Sequence, residues 1–189
     1  SHVYTPDGIK RALQNGVRCI EHGQLADEDA VKMMADKDAW WSLQPFLADE
    51  DSNPKSNPVQ RQQQEEIAKG TIRAYELTKK HKVKTAWGTD ILFNPKGLAT
   101  QGKQLTKLSR WFDNADVLRM ATAANGELLA MSGERNTYRA KVGVIEAGAT
   151  ADVLLVDGNP LENLALIADP EANFKVIMKD GRVFKNTLG

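Results

Sequence analysis

The stretch Val17-Arg18-Cys19-Ile20-Glu21-His22-Gly23 decides how this chain is read. Its centre is apolar and short enough for a buried strand, and it runs directly into an acid, an imidazole and a glycine. On its N-terminal side, Thr5-Pro6-Asp7-Gly8 supplies an N-cap and a proline at the first helical position, where a missing N–H costs nothing. Ile9, Ala12 and Leu13 then fall at i, i+3 and i+4, one apolar stripe of a short helix that stops at Asn15-Gly16. On its C-terminal side, Asp27 is placed to cap a second helix with Val31, Met34 and Ala35 on one face. A strand between two amphipathic helices is the repeating unit of a parallel sheet.

The pattern continues outward. Residues 39–43, Ala-Trp-Trp-Ser-Leu, read as the next strand and end at Gln44-Pro45. Residues 47–58 are polar and hold two prolines, so a long loop is expected there, and long loops in compact domains are often functional. The longest helical pattern covers residues 59–81, with Ile67, Ile72, Ala74, Tyr75 and Leu77 on or near its inner face. Residues 82–87 form a further strand that ends in Gly88-Thr89-Asp90, followed by a glycine-containing loop. Helical patterns return at 103–112 and 115–131. Strands alternating with amphipathic helices predict βα units around a parallel sheet. Beyond residue 132 the character changes. Residues 143–148 are turn-rich, 151–157 read as a buried strand, and two apolar runs flank Lys179-Asp180-Gly181, a hairpin signal.

Composition narrows the function. Lys+Arg and Asp+Glu are both 25, and a balanced charge argues against a nucleic-acid partner, which would need a basic excess. No apolar run approaches the roughly 20 residues of a spanning helix, so no membrane role is expected. One cysteine excludes an internal disulfide framework and multi-cysteine zinc modules, and the three histidines leave little for a metal site. The 189 residues open on Ser1 rather than methionine, so the chain is expected to be a piece of a longer protein, and its compartment is left open.

Three of the expected strands end on residues that bind metals: His2 at the first, His22 at the second and Asp90 after the last. In parallel α/β folds, functional groups gather at the C-terminal ends of strands. Two imidazoles and a carboxylate at one rim suit zinc. The alternatives are a hydrogen-bonded structural role for either histidine and an Asx-turn or helix cap for Asp90. Cys19 reads as a buried small hydrophobe, Trp40 and Trp41 as core, and His81 as a solvated residue complementing its helix dipole. Gln44, at a strand end, is a candidate substrate contact.

These residues resemble a known family. His2-Val3-Tyr4-Thr5-Pro6-Asp7-Gly8-Ile9, Ile20-Glu21-His22-Gly23 and Trp87-Gly88-Thr89-Asp90 are similar to strands five, six and eight of the metal-dependent amidohydrolase superfamily. Residues 121–130, Ala-Thr-Ala-Ala-Asn-Gly-Glu-Leu-Leu-Ala, resemble the helix after its barrel, and 143–152 with Asp157-Gly158-Asn159-Pro160-Leu161 resemble the return into its small β-sandwich. The nearest branch holds prolidases, arginine carboxypeptidases and imidazolonepropionase-like proteins. The resemblance implies an α/β fold, the C-terminal half of a (β/α)8 TIM barrel (strands 5–8) over residues 1–132, with a β-sandwich portion over 133–189.

It also implies roles. His2 and His22 would ligate the more exposed zinc of a binuclear centre, and Asp90 would ligate the other and act as general acid and base in hydrolysing an amide or peptide bond of a dipeptide-like substrate. Tyr4, two residues after His2 on an alternating strand, would donate to the substrate carbonyl, with barrel-top packing as its other reading. The His-x-His and the bridging lysine or acid of the family have no match in this chain, since Lys10 and Lys32 lie on helices. The remaining ligands are therefore expected from a missing N-terminal half-barrel. The rivals are a cyclic amide hydrolase or deaminase of the same superfamily, and an inactive half-barrel. Open strand edges predict association with that missing half or as a homo-oligomer.

Overall fold

The computed structural model describes residues 1–52, 55–91 and 95–189. Asn53 and Pro54 of the expected long loop, and Leu92, Phe93 and Asn94 of the loop after Asp90, lie outside the described residues. The chain divides into two compact units, Ser1–Leu98 and Ala99–Gly189. The expected boundary after residue 132 lies inside the second.

The first unit is built as β1 (His2–Val3), α1 (Pro6–Gln14), β2 (Cys19–His22), α2 (Glu28–Asp36), β3 (Trp40–Leu43), α3 (Pro58–His81) and β4 (Lys84–Trp87). The four strands pair in chain order and all in parallel. Val3 stands opposite His22, Glu21 opposite Ser42 and Leu43 opposite Trp87, which brings the strand ends to one edge of the sheet. Each helix forms where the pattern demands. Pro6 opens α1, and Ile9 and Leu13 are buried beneath it. The Asp27 carboxylate caps α2 by accepting from the Ala30 N–H at 2.8 Å, and its other oxygen takes the Lys10 ammonium at 2.8 Å. Asn57 caps α3, whose inner face buries Ala68, Thr71, Ala74, Tyr75, Leu77 and Thr78. Ile72, expected near that face, is exposed instead, because it lies on the arc with Arg73 and Glu76.

The second unit holds α4 (Gln101–Thr106), α5 (Asn114–Arg119), α6 (Asn125–Ala130), β5 (Val153–Val156), α7 (Pro170–Asn173), β6 (Phe174–Lys179) and β7 (Arg182–Asn186). The helical pattern expected over 115–131 is one winding path, but a π turn at Met120–Ala124 separates α5 from α6. The hairpin forms as expected, with Asp180 (φ 48°) and Gly181 (φ 74°) both left-handed, as a two-residue hairpin turn of type I′ requires. The apolar run of β5 predicts burial, yet Leu154 and Leu155 are exposed. It is an edge strand, bonded to β6 alone in the order β5-β6-β7.

The fold expectation needs correction. The described residues form a mixed α/β fold with a four-stranded parallel sheet and a separate three-stranded antiparallel sheet, not the C-terminal half of an eight-stranded barrel with a sandwich. The parallel, barrel-like strands lie in the N-terminal part of this chain, between His2 and Trp87. The physical reason is that alternating strands and helices specify parallel neighbours and nothing more. They do not specify ring closure or a strand's position within a ring. Among the described residues no helix is long and apolar enough to cross a membrane.

Candidate active site

His22 is the centre of a cluster at the C-terminal edge of the parallel sheet. It ends β2 in the left-handed region at φ 73°, and Gly23 follows at the same angle. A histidine in that conformation is held there by its surroundings rather than by preference. The hold is visible: the Trp41 indole N–H donates to the His22 carbonyl at 2.6 Å. Gly23 must be glycine for a second reason, since a Cβ there would stand 2.6 Å from Trp41 Nε1. The backbone of the site is thus fixed from the core side by a fully buried tryptophan.

The imidazole of His22 is 6% exposed and is surrounded on every side by named groups. Nδ1 of His2 lies 2.9 Å from His22 Nε2. The Tyr4 ring stacks on the His22 ring at 4.7 Å between centroids and 6° between planes. Phe46 approaches at 6.2 Å. On the inner side, Gln44 Oε1 is 2.9 Å from His22 Nδ1. His2 and Tyr4 both meet His22, although β1 ends at Val3 and Tyr4 lies just beyond it. Gln44 sits at the end of β3 and is buried at 3% exposure, against His22.

Asp90 lies beyond β4, exposed and also left-handed at φ 51°. Its charge reaches Tyr4. Burial first, and the Asp90 carboxylate second, raise the phenol above its ordinary pKa, so Tyr4 keeps its proton at neutral pH. Among the described residues no group of three or more His, Cys, Asp or Glu is placed to hold a metal ion. The two imidazoles form a donor pair rather than a complete cage. Two nitrogens about 2.0–2.1 Å from one zinc would stand roughly 3.3 Å apart at a tetrahedral angle. The observed 2.9 Å is shorter than that and is a hydrogen-bond distance between the two rings.

Residues 1–184 match the amidohydrolase family. This chain belongs to the amidohydrolase family. Ochratoxinase of Aspergillus niger is 26% identical over 190 residues, which is 98% of this chain and 37% of ochratoxinase. Among solved structures, an amidohydrolase is 31% identical with a TM-score of 0.84, covering 100% of this chain and 44% of its own. A prolidase complexed with N-methylphosphonate-L-proline is 29% identical with a TM-score of 0.84, covering 98% of this chain and 44% of its own. The amidohydrolase chain thus spans less than half the length of these relatives. The relatives come from several branches, and no branch is singled out.

Three contributors to the cluster are not legible in the sequence. Gln24 is 1% exposed and its amide nitrogen lies 3.2 Å from Gln44 Oε1. Phe46 faces His22 from beyond β3, and the pattern around Trp41 marks it only as core. A lone glutamine after His-Gly carries no pattern, and Phe46 sits in an irregular segment, so only Gly23 hints at a close approach. Two other readings change. His81 is not simply solvated: its side chain is 16% exposed and its Nε2 lies 3.0 Å from the Glu28 carboxylate, which also takes Lys80. Cys19 is part-buried, with its thiol 3.5 Å from Glu21 Oε1, and burial together with that carboxylate pushes it up to about 12.

Proposed function

We propose that the protein carrying this chain is a zinc-dependent amidohydrolase that cleaves an amide or peptide bond of a dipeptide-like substrate, with a C-terminal proline as the favoured leaving residue. The observation that carries this reading is the His2–His22 nitrogen pair, 2.9 Å apart at the C-terminal edge of a parallel sheet, beneath a stacked tyrosine. His2 and His22 would hold one zinc of a binuclear centre, Asp90 would ligate the other, and residues elsewhere in the protein would complete the set. Bound zinc lowers the pKa of water enough to supply a nucleophile at neutral pH.

The chain's own residues account for the remaining steps. The Asp90 carboxylate accepts the proton of the attacking water and returns it to the leaving amine nitrogen. The Tyr4 hydroxyl, kept protonated by burial and by Asp90, donates to the substrate carbonyl oxygen as negative charge develops there. The stacked His22 ring holds the plane of the tyrosine ring. The proline preference is supported by the prolidase relative with its phosphonate-proline ligand.

The test is Asp90→Asn in the full-length protein, assayed on a panel of dipeptides, cyclic amides and aminated heterocycles. Loss of about two to four orders of magnitude in kcat, with metal content retained, is the expected result. Wild-type kcat with full metal content would falsify the role of Asp90, and turnover confined to cyclic amides or aminated heterocycles would replace the peptidase reading.

A further inference from the structure

Gln44 and Gln24 are amide side chains in the least exposed part of the site, and hydrolysis as described uses neither. Burying two amides is unfavourable unless their groups are paired, so their arrangement carries information. The chain of contacts starts from a group that cannot reorient. The backbone carbonyl of Ser42 accepts from Gln44 Nε2 at 3.2 Å. A carbonyl only accepts, so the nitrogen of the Gln44 amide must face it and the oxygen must face the other way.

That oxygen meets two groups. It accepts from Gln24 Nε2 at 3.2 Å and it lies 2.9 Å from His22 Nδ1. Turning the Gln44 amide over would set oxygen against the Ser42 carbonyl and nitrogen against the Gln24 nitrogen, two mismatches at once. Turning both amides still leaves the clash at Ser42. Gln24 Oε1 is buried with no hydrogen-bond partner among the described residues, so its donor end alone is engaged, on Gln44. An amide oxygen never donates, and His22 Nδ1 must therefore carry the hydrogen. In the neutral ring Nε2 then keeps its lone pair, aimed at His2.

We propose that Gln44, locked by Ser42 and Gln24, is a positioning residue that fixes His22 as the Nδ1–H tautomer and thereby frees Nε2 as the donor atom of the site. It acts through His22 and needs no contact with substrate. This rests on the hydrolytic reading for its purpose, but not for its structural content, since the tautomer is a property of the metal-free protein.

The experiment uses full-length protein with 15N-labelled histidine rings. Ring nitrogen shifts are read in the metal-free state, and zinc affinity is read separately by competition with a chelating dye. The variants are Gln44→Met, which keeps length and flexibility but removes the amide, and Gln44→Glu, which keeps an acceptor for Nδ1. Wild-type His22 is expected to be protonated at Nδ1. Gln44→Met should lose that single tautomer and bind zinc about 10- to 100-fold more weakly, the size usual for an outer partner of a metal-bound histidine. Gln44→Glu should keep Nδ1 protonated and bind zinc more tightly than Gln44→Met, although its second oxygen then faces the Ser42 carbonyl. A wild-type His22 protonated at Nε2 overturns the proposal without any variant, so a failure of Gln44→Met to fold does not protect it. An unchanged tautomer in folded Gln44→Met overturns it as well. A protein that binds no zinc, yet loses the tautomer in Gln44→Met, supports the role of Gln44 and refutes the zinc reading of the site.

Discussion

Replacing Gly23 by alanine tests whether the site is braced from the core. The substitution meets two separate obstacles. Gly23 is left-handed at φ 73°, a conformation that costs an L-residue about 1–2 kcal/mol. Its new Cβ would also stand 2.6 Å from Trp41 Nε1, too close to remain, and 3.3 Å from Ile20 Cγ2, a tight contact. The indole is fully buried and is the donor to the His22 carbonyl, so relief of the clash breaks that bond. Leaving a buried donor and acceptor unmet costs about 1–3 kcal/mol more. The expected loss is roughly 3 kcal/mol, read as a fall in the urea midpoint at unchanged m. Gly16 supplies the control. It is left-handed at φ 84°, but a Cβ added there would have nothing within 4 Å, so Gly16→Ala should lose only about 1–2 kcal/mol. Equal losses for the two variants would show that Trp41 yields without penalty, and the bracing argument would be wrong.

Other expectations follow from the same geometry. Cys19, its thiol pushed up to about 12 by burial and Glu21, should react with iodoacetamide at pH 8 about a thousandfold more slowly than an ordinary thiol, because so little thiolate is present. Comparable rates by mass spectrometry would mean that the thiol is not shielded. Glu28 is held below the usual carboxylate range, chiefly by Lys80 and then by His81. A lowered folded pKa means that the stabilisation is present above the unfolded carboxylate value, near 4.3, and is lost as pH falls through the folded value. Glu28→Gln should therefore be less stable than wild type at pH 7, with the gap closing on acidification. A gap that is constant with pH in thermal melts would rule out the ion pair as its source.

Local chemistry in the sequence locates much of this structure. Asp27 caps its helix because a short carboxylate before an apolar stripe has little else to do, and Asp180-Gly181 turns its hairpin because both positions need positive φ. The meeting of His2, Tyr4 and His22 is legible for a similar reason. Parallel strands in chain order bring their C-terminal ends to one edge, which sets residues 2 to 4 beside the end of β2, although Tyr4 itself lies past the strand. Closure of the sheet is not legible, because neighbour pairing looks the same in an open sheet and in a ring. The exposure of Leu154 and Leu155 is hidden for a related reason: an apolar run does not say whether its strand is central or at an edge. Gln24 escapes notice because its importance comes from a contact with Gln44, 20 positions away, and not from any pattern of its own.

That distance recurs through the cluster. His2 to His22 spans 20 positions, His22 to Gln44 spans 22, and His22 to Trp41 spans 19. Each is the length of one strand–helix–strand step. The entropy of closing a loop grows only with the logarithm of its length, so every contact asks a similar cost of the chain. The site can therefore assemble in steps, one βα unit at a time, without a long-range closure. The same regularity makes it tolerant in one place and brittle in another. An added residue in the turn before β2 or β3 changes the closing entropy by a small fraction of RT. The same residue inserted within β2 would turn every later side chain of that strand to the opposite face, and carry His22 away from Tyr4 and Gln44 together.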